Sequence, residues 1–114
     1  MRYNIKKEIE FIPSWEGNDK QDEPIKFYLK HLNVTERDDI FSPVADETGR
    51  VKVKLNSIKA FTIGVSKIEN LTVDGKEITT PRAMLQLPGF YELMIEVATR
   101  IMTMNAFDEE AQKN

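Results

Sequence analysis

The spacing of apolar residues changes several times along this chain, and each change marks an element. Near the start, Tyr3, Ile5, Ile9 and Phe11 alternate with Asn4, Lys6, Glu8 and Glu10. Period two predicts a strand with one wet face, ended by Pro13. Lys7 interrupts the apolar set, as residues near a sheet edge do. Ile25, Phe27, Leu29 and His31 alternate with Lys26, Tyr28 and Lys30 and predict a second strand. It pairs antiparallel with the first in the simplest topology, because sequential strands usually neighbour each other. The polar connection over 14–24 leaves no room for a core element. Its one bulky residue, Trp15, either plugs an end of the core or anchors a partner.

Helix signals follow. Thr35 reads as an N-cap with Asp38 three residues on and Glu36 suited to the helix dipole, so a short helix is expected over 35–41, stopped by Pro43. SPVADETGR reads as a loop or a short extended return, and Val51, Val53 and Leu55 alternate with lysines as a third strand would. Over 57–69 the pattern is ambiguous: Ile58, Phe61, Val65 and Ile68 fit a helical seam, while Phe61, Ile63 and Val65 fit a strand. Length favours helix, with Asn56 or Ser57 as its cap, although Gly64 disfavours one. Asp74-Gly75 lies between two short extended runs and predicts a type I′ hairpin over 71–79. Thr80-Pro81 starts a short helix, and Pro88-Gly89 separates it from the last one.

That last helix, over 90–104, organises the chain. Phe90, Met94, Val97, Ile101 and Met104 recur on one face, widened by Leu93, Tyr91, Ile95, Ala98 and Met102. The apolar surface exceeds the roughly 100° stripe that one core contact needs. The helix is therefore either central to the domain or covered on one side by the core and on the other by a partner. The expected architecture is one α+β domain over 1–105, a small antiparallel sheet from the N-terminal half packed against a C-terminal helical half. A polar tail, frayed or adding one loose turn, is expected over 106–114.

Composition narrows function mainly by exclusion. The 114 residues carry 40% hydrophobic and 31% charged residues with net charge −3, which argues against a nucleic-acid partner. No run approaches a membrane span, nothing at the start resembles a signal peptide, and the Asn-x-Thr triplets at Asn33 and Asn70 read as chance matches. With no cysteine there is no disulfide framework, thiolate metal site or thiol nucleophile. The single histidine, His31, lacks ligand companions and reads as a surface or rim residue. Asp38 and Asp39 are adjacent, so on a helix they diverge by about 100° and form no acid/base pair. Without a phosphate loop, a nucleophile elbow or metal spacing, the expectation is a non-enzymatic binding protein with no cofactor and no metal. Met84, Met94, Met102 and Met104 cluster in the last third, where adaptable side chains suit either a core or a partner surface.

The order of elements resembles the small tail assembly chaperones of long-tailed bacteriophages. Trp15-Glu16-Gly17 follows an opening strand and leads into IKFYLKHL. TERDD starts a polar helix, VSKIENLTVDGKEITT follows, and an apolar C-terminal helix runs into DEEAQKN. The likeness covers roughly Ile9 to Asn114 and is one of pattern, with no single diagnostic motif. It implies a protein of the bacterial host cytoplasm that binds the unassembled tape-measure protein, keeps it soluble and recruits tail-tube subunits. A longer form made by ribosomal frameshifting and a homo-oligomer both remain open. Candidate partner-binding residues are Trp15, Phe90, Tyr91, Met94, Ile95, Ala98 and Met102. The alternatives are a structural tail or neck subunit retained in the virion and a small adaptor domain.

Overall fold

The computed structural model describes Arg2 and residues 8–113. β1 (Ile9–Phe11) pairs antiparallel with β2 (Lys26–Leu29), with Phe11 opposite Phe27 and Ile9 opposite Leu29. The rest of the expected first strand, over 3–7, lies outside the described residues. Alternation turns Phe27 and Leu29 into the core and Lys26 and Tyr28 outward. On that outer face the Tyr28 hydroxyl donates to Glu69 at 3.0 Å and to Glu10 at 3.4 Å, with Lys67 and Lys26 paired to the same carboxylates. The hydrogen bond to Glu69, reinforced by desolvation and by the two negative charges, pushes the Tyr28 phenol up to about 12.

The far side of β2 is taken by β5 (Val65–Glu69), so the sheet order is β1-β2-β5. This corrects the helix expected over 57–69: α2 (Ser57–Gly64) ends at its glycine and the chain passes directly into β5. The error has a geometric cause. Ile68 opposes Phe27, Lys67 opposes Tyr28 and Val65 opposes Leu29, so β5 spends one extra residue, Ser66, in a bulge. Two buried positions that would sit two apart in a regular strand are therefore three apart, which imitates a helical seam. Asn56 caps α2 by accepting from the Lys59 N–H at 3.1 Å.

α1 (Val34–Ile40) is capped two residues earlier than expected, by Asn33 and not Thr35. Asn33 Oδ1 accepts the Glu36 N–H at 2.8 Å, and the Glu36 carboxylate accepts the Asn33 N–H at 3.0 Å, a reciprocal capping box. Lys30 also donates to Glu36 at 2.9 Å. Lys30 first, and then the Asn33 N–H, hold the Glu36 carboxyl below its ordinary value. A carboxylate with a depressed folded-state value stabilises fully above its unfolded value of about 4.3 and loses that contribution as pH falls through the lower folded value. Glu36→Gln should accordingly flatten the acid limb of stability below about pH 5, read by urea titrations at several pH values.

After α1 the chain forms an arm: β3 (Phe41–Ala45) and β4 (Val51–Leu55) pair only with each other, Phe41 opposite Leu55 and Ala45 opposite Val51. β4 matches the third predicted strand, and β3 makes the segment from Ser42 the extended return that was the alternative to a loop. A second small hairpin joins β6 (Thr72–Val73) to β7 (Lys76–Glu77). Asp74 at φ 51° and Gly75 at φ 79° give the positive dihedrals that the Asp-Gly pair predicts for a type I′ turn. α3 (Pro81–Leu85) is capped by Thr80, whose Oγ1 accepts the Ala83 N–H at 3.2 Å.

α4 (Tyr91–Lys113) is the longest element and runs through the stretch read as a polar tail. Its principal partner is α2. Leu93, Val97, Ala98 and Ile101 are fully buried against Phe27, Phe61 and Ile68, and Phe27 meets Phe61 edge-on at 6.0 Å. At its inner end Asn105 is buried and bridges two elements. It donates to the Ile101 carbonyl at 2.7 Å and accepts the Leu32 N–H at 2.8 Å. Asn105→Ala orphans the Leu32 N–H, so we expect a loss of about 1–3 kcal/mol in urea denaturation. The architecture is the expected α+β one, with antiparallel sheets and a helical C-terminal half.

Candidate partner-binding groove

The connection over 14–24 is not featureless. It contains a 3-10 helix, Trp15–Lys20, held by the buried Asn18, which donates to the Pro13 and Ile25 carbonyls and accepts the Ile25 N–H. The alternation rule missed this element because one polar side chain, not an apolar pattern, organises it. The Ser14 N–H donates to Glu96 at 2.7 Å, tying the segment onto α4. Trp15 is then half-buried against Phe90, ring centroids 5.7 Å apart. It closes the end of the core behind Phe90, the first of the two roles read for it.

In front of Phe90 lies an open apolar groove of about 320 Å³. Met84 and Met94 lie deepest, both essentially buried. Leu85 and Leu87 line it from α3 and the turn after it, and Pro88, Gly89 and Phe90 form its end. Gly89 has φ +89°, a dihedral that side chains disfavour, and this lets the chain reverse tightly enough to set α3 beside the start of α4. The rim is apolar too: Ile58 of α2 is 57% exposed and Tyr91 of α4 is 71% exposed. Among the described residues the lining has no carboxylate, ammonium or imidazole. The groove can therefore desolvate apolar side chains but has no charged group to move a proton or hold an ion. Elsewhere among the described residues, no group of three or more His, Asp or Glu is placed to hold a metal ion, and no helix is long and apolar enough to cross a membrane.

The seven candidate residues separate accordingly. Phe90, Tyr91 and Met94 meet in the groove, with Met94 as floor and Tyr91 as the accessible member. Ala98 and Met102 are buried in the domain core, and Ile95 packs partly against it. The width of the apolar face on α4 is thus mostly explained by the helix being central, since α2 and the sheet cover it. Ile58, Leu85 and Leu87 belong to the groove and were not singled out. The available signal was Leu85-x-Leu87 running straight into Pro88-Gly89, more apolar surface than a five-residue helix can bury.

Comparison with protein-family models, with curated proteins and with solved structures finds no match.

Proposed function

We propose that this protein is a bacteriophage tail assembly chaperone that covers apolar segments of the unassembled tape-measure protein in the host cytoplasm and helps recruit tail-tube subunits. The observation that carries the binding role is the open groove rimmed by exposed Ile58 and Tyr91. A long helical client with repeated apolar seams is an aggregation hazard until assembly, and an amphipathic helix laid in an apolar groove is a general mode of recognition. The groove has room for a few side chains, so one copy would cover about one or two helical turns and a long client would need many copies. The tape-measure identity of the client rests on the resemblance in element order and motifs.

Co-expression with the longest helix-rich protein encoded beside it is the test. The expected result is a soluble complex containing several copies of this chain per client. If the client stays insoluble and this chain is found in purified particles, the role is that of a structural subunit.

A further inference from the structure

The outer edge of β4 is a row of outward backbone groups, and the register of the β3–β4 arm fixes which ones. At the base of the ladder the Asn56 N–H donates to the Ile40 carbonyl, and at its tip the Asp46 N–H donates to the Arg50 carbonyl. Bonded and non-bonded pairs alternate along an antiparallel ladder. The bonded pairs between those ends are therefore Ser42–Lys54 and Val44–Lys52. Phe41, Pro43 and Ala45 on β3, and Val51, Val53 and Leu55 on β4, direct their main-chain groups outward. The two edges differ. Pro43 has no N–H, so the β3 edge is broken in its middle. The β4 edge keeps a donor and an acceptor at each of its outward positions, and among the described residues no hydrogen bond outside the ladder uses them. The arm that presents this edge is fixed at both ends. Phe41 packs against the core beneath the Arg37 guanidinium, 5.7 Å from the ring centroid, and Asp46 ties the tip by accepting from the Thr48 and Arg50 N–H groups.

An open edge ordinarily invites a second copy of the same strand, and lysine is a residue that natural sheets place there to prevent it. On β4 the lysines also select. In an antiparallel pairing of β4 with itself, centred on Val53, position 52 of one copy falls opposite position 54 of the other, lysine against lysine, which is destabilising. A strand with carboxylates at those positions meets opposite charge. Arg50 and Lys52 are exposed and share one face by alternation, and Lys54 continues the period in sequence, within a chain of net charge −3. The exposed Val51 and Leu55 lie on the other face. We propose that the outer edge of β4 takes an extended acidic segment of another protein by strand addition, its carboxylates opposite positions 50, 52 and 54 and its apolar residues beside Val51 and Leu55. Main-chain hydrogen bonds hold such a segment, and alternate side chains choose it. The site shares no residue with the apolar groove, and its occupant is extended where the groove's is helical.

The probe is a fluorescein-labelled peptide containing Val-Glu-Val-Glu-Val, titrated with the full chain at low salt and read by anisotropy. Saturable binding is expected, weakened by roughly tenfold or more when the glutamates become lysines. Methylating every amide nitrogen of the peptide core keeps its charge and removes its donors, and should abolish binding. On the protein, Val53→Pro removes the middle donor of the edge but no bond to β3, because position 53, like Pro43 opposite it, is non-bonded in the ladder. It should weaken binding by roughly tenfold. The pair Lys52→Glu and Lys54→Glu should reverse the preference to the lysine peptide. A methylated peptide that binds as the plain one does overturns strand addition, and a lysine peptide that binds as well overturns the acidic partner. No binding at about 1 mM peptide, where only the weakest contacts saturate, makes the lysines edge guards alone and overturns the site. Tighter capture of a single-stranded oligonucleotide also overturns it. Tyr91→Asp should bind the peptide as wild type does. Loss of client capture with peptide binding intact removes the chaperone reading alone, and the reverse result removes the β4 site alone.

Discussion

Gly64→Val should leave little folded protein at 37 °C, and Gly64→Ala should lower stability by about 1–3 kcal/mol. Gly64 sits where α2 gives way to β5, buried under α4. A Cβ built there would lie 2.7 Å from both Cδ1 and Cγ2 of Ile101, whose side chain is fully buried. The clash involves two branches of a packed side chain, so no single rotation relieves it. Nor can the backbone retreat freely, because the Gly64 carbonyl accepts the Lys30 N–H at 2.9 Å and joins α2 to the sheet. Overpacking of this kind is costly against a total domain stability of about 5–15 kcal/mol. A double-mutant cycle isolates the cause. Ile101→Val alone should cost about 0.5–1.5 kcal/mol, and in the Gly64→Ala background it should cost less or restore stability. Strict additivity in urea denaturation would mean that Gly64 is required for something other than the space beside Ile101.

Tyr91→Asp should abolish client capture with little change in stability. Tyr91 stands 71% exposed on the groove rim, so its replacement leaves no core cavity. Surface substitutions of this kind usually change stability by within about 0.5 kcal/mol. On binding, however, the ring would be buried beside an apolar segment, and aromatic residues that become buried in this way can contribute about 2 kcal/mol. A carboxylate there would also be desolvated without a partner. A loss of at least 30-fold in affinity is expected, the fold equivalent of about 2 kcal/mol. Ala98→Ser provides the contrast: Ala98 is fully buried, so the hydroxyl should perturb the fold and leave the groove surface unchanged. If Tyr91→Asp captures client as wild type does, the groove is not the client site.

These two residues also show what could and could not be read in advance. Gly64 was noticed only as a weak helix former, because propensity is a local property and its neighbour Ile101 lies 37 positions away. Tyr91 was placed on a wide apolar face together with Ala98 and Met102, and spacing alone cannot divide a face between a core and a partner. The division came from α2, which approaches α4 closely because Ala60 and Gly64 are small. The Glu36 cap was misplaced by two residues because Thr35 and Asn33 both suit the position, and only the paired hydrogen bonds to Glu36 select Asn33.

Features whose causes lie within a few residues were legible in the chain's local pattern. These are the antiparallel pair formed by β1 and β2, the Asp74-Gly75 hairpin, the Thr80-Pro81 helix start, the Pro88-Gly89 break and the long final helix, together making an α+β chain. Each follows from side-chain periodicity or from the dihedral preference of one or two residues. Features that depend on distant partners were not legible there, because they arise when separated segments pack together. The bulge at Ser66 turned an apparent helical seam into a strand, and Asn18 turned a polar connection into a folded wedge behind Trp15. The Leu85–Tyr91 turn met Ile58 to make a groove, while Val51 and Leu55 of the β3–β4 arm were left exposed. Burial depends on which surfaces meet, and local pattern shows only which surfaces are able to.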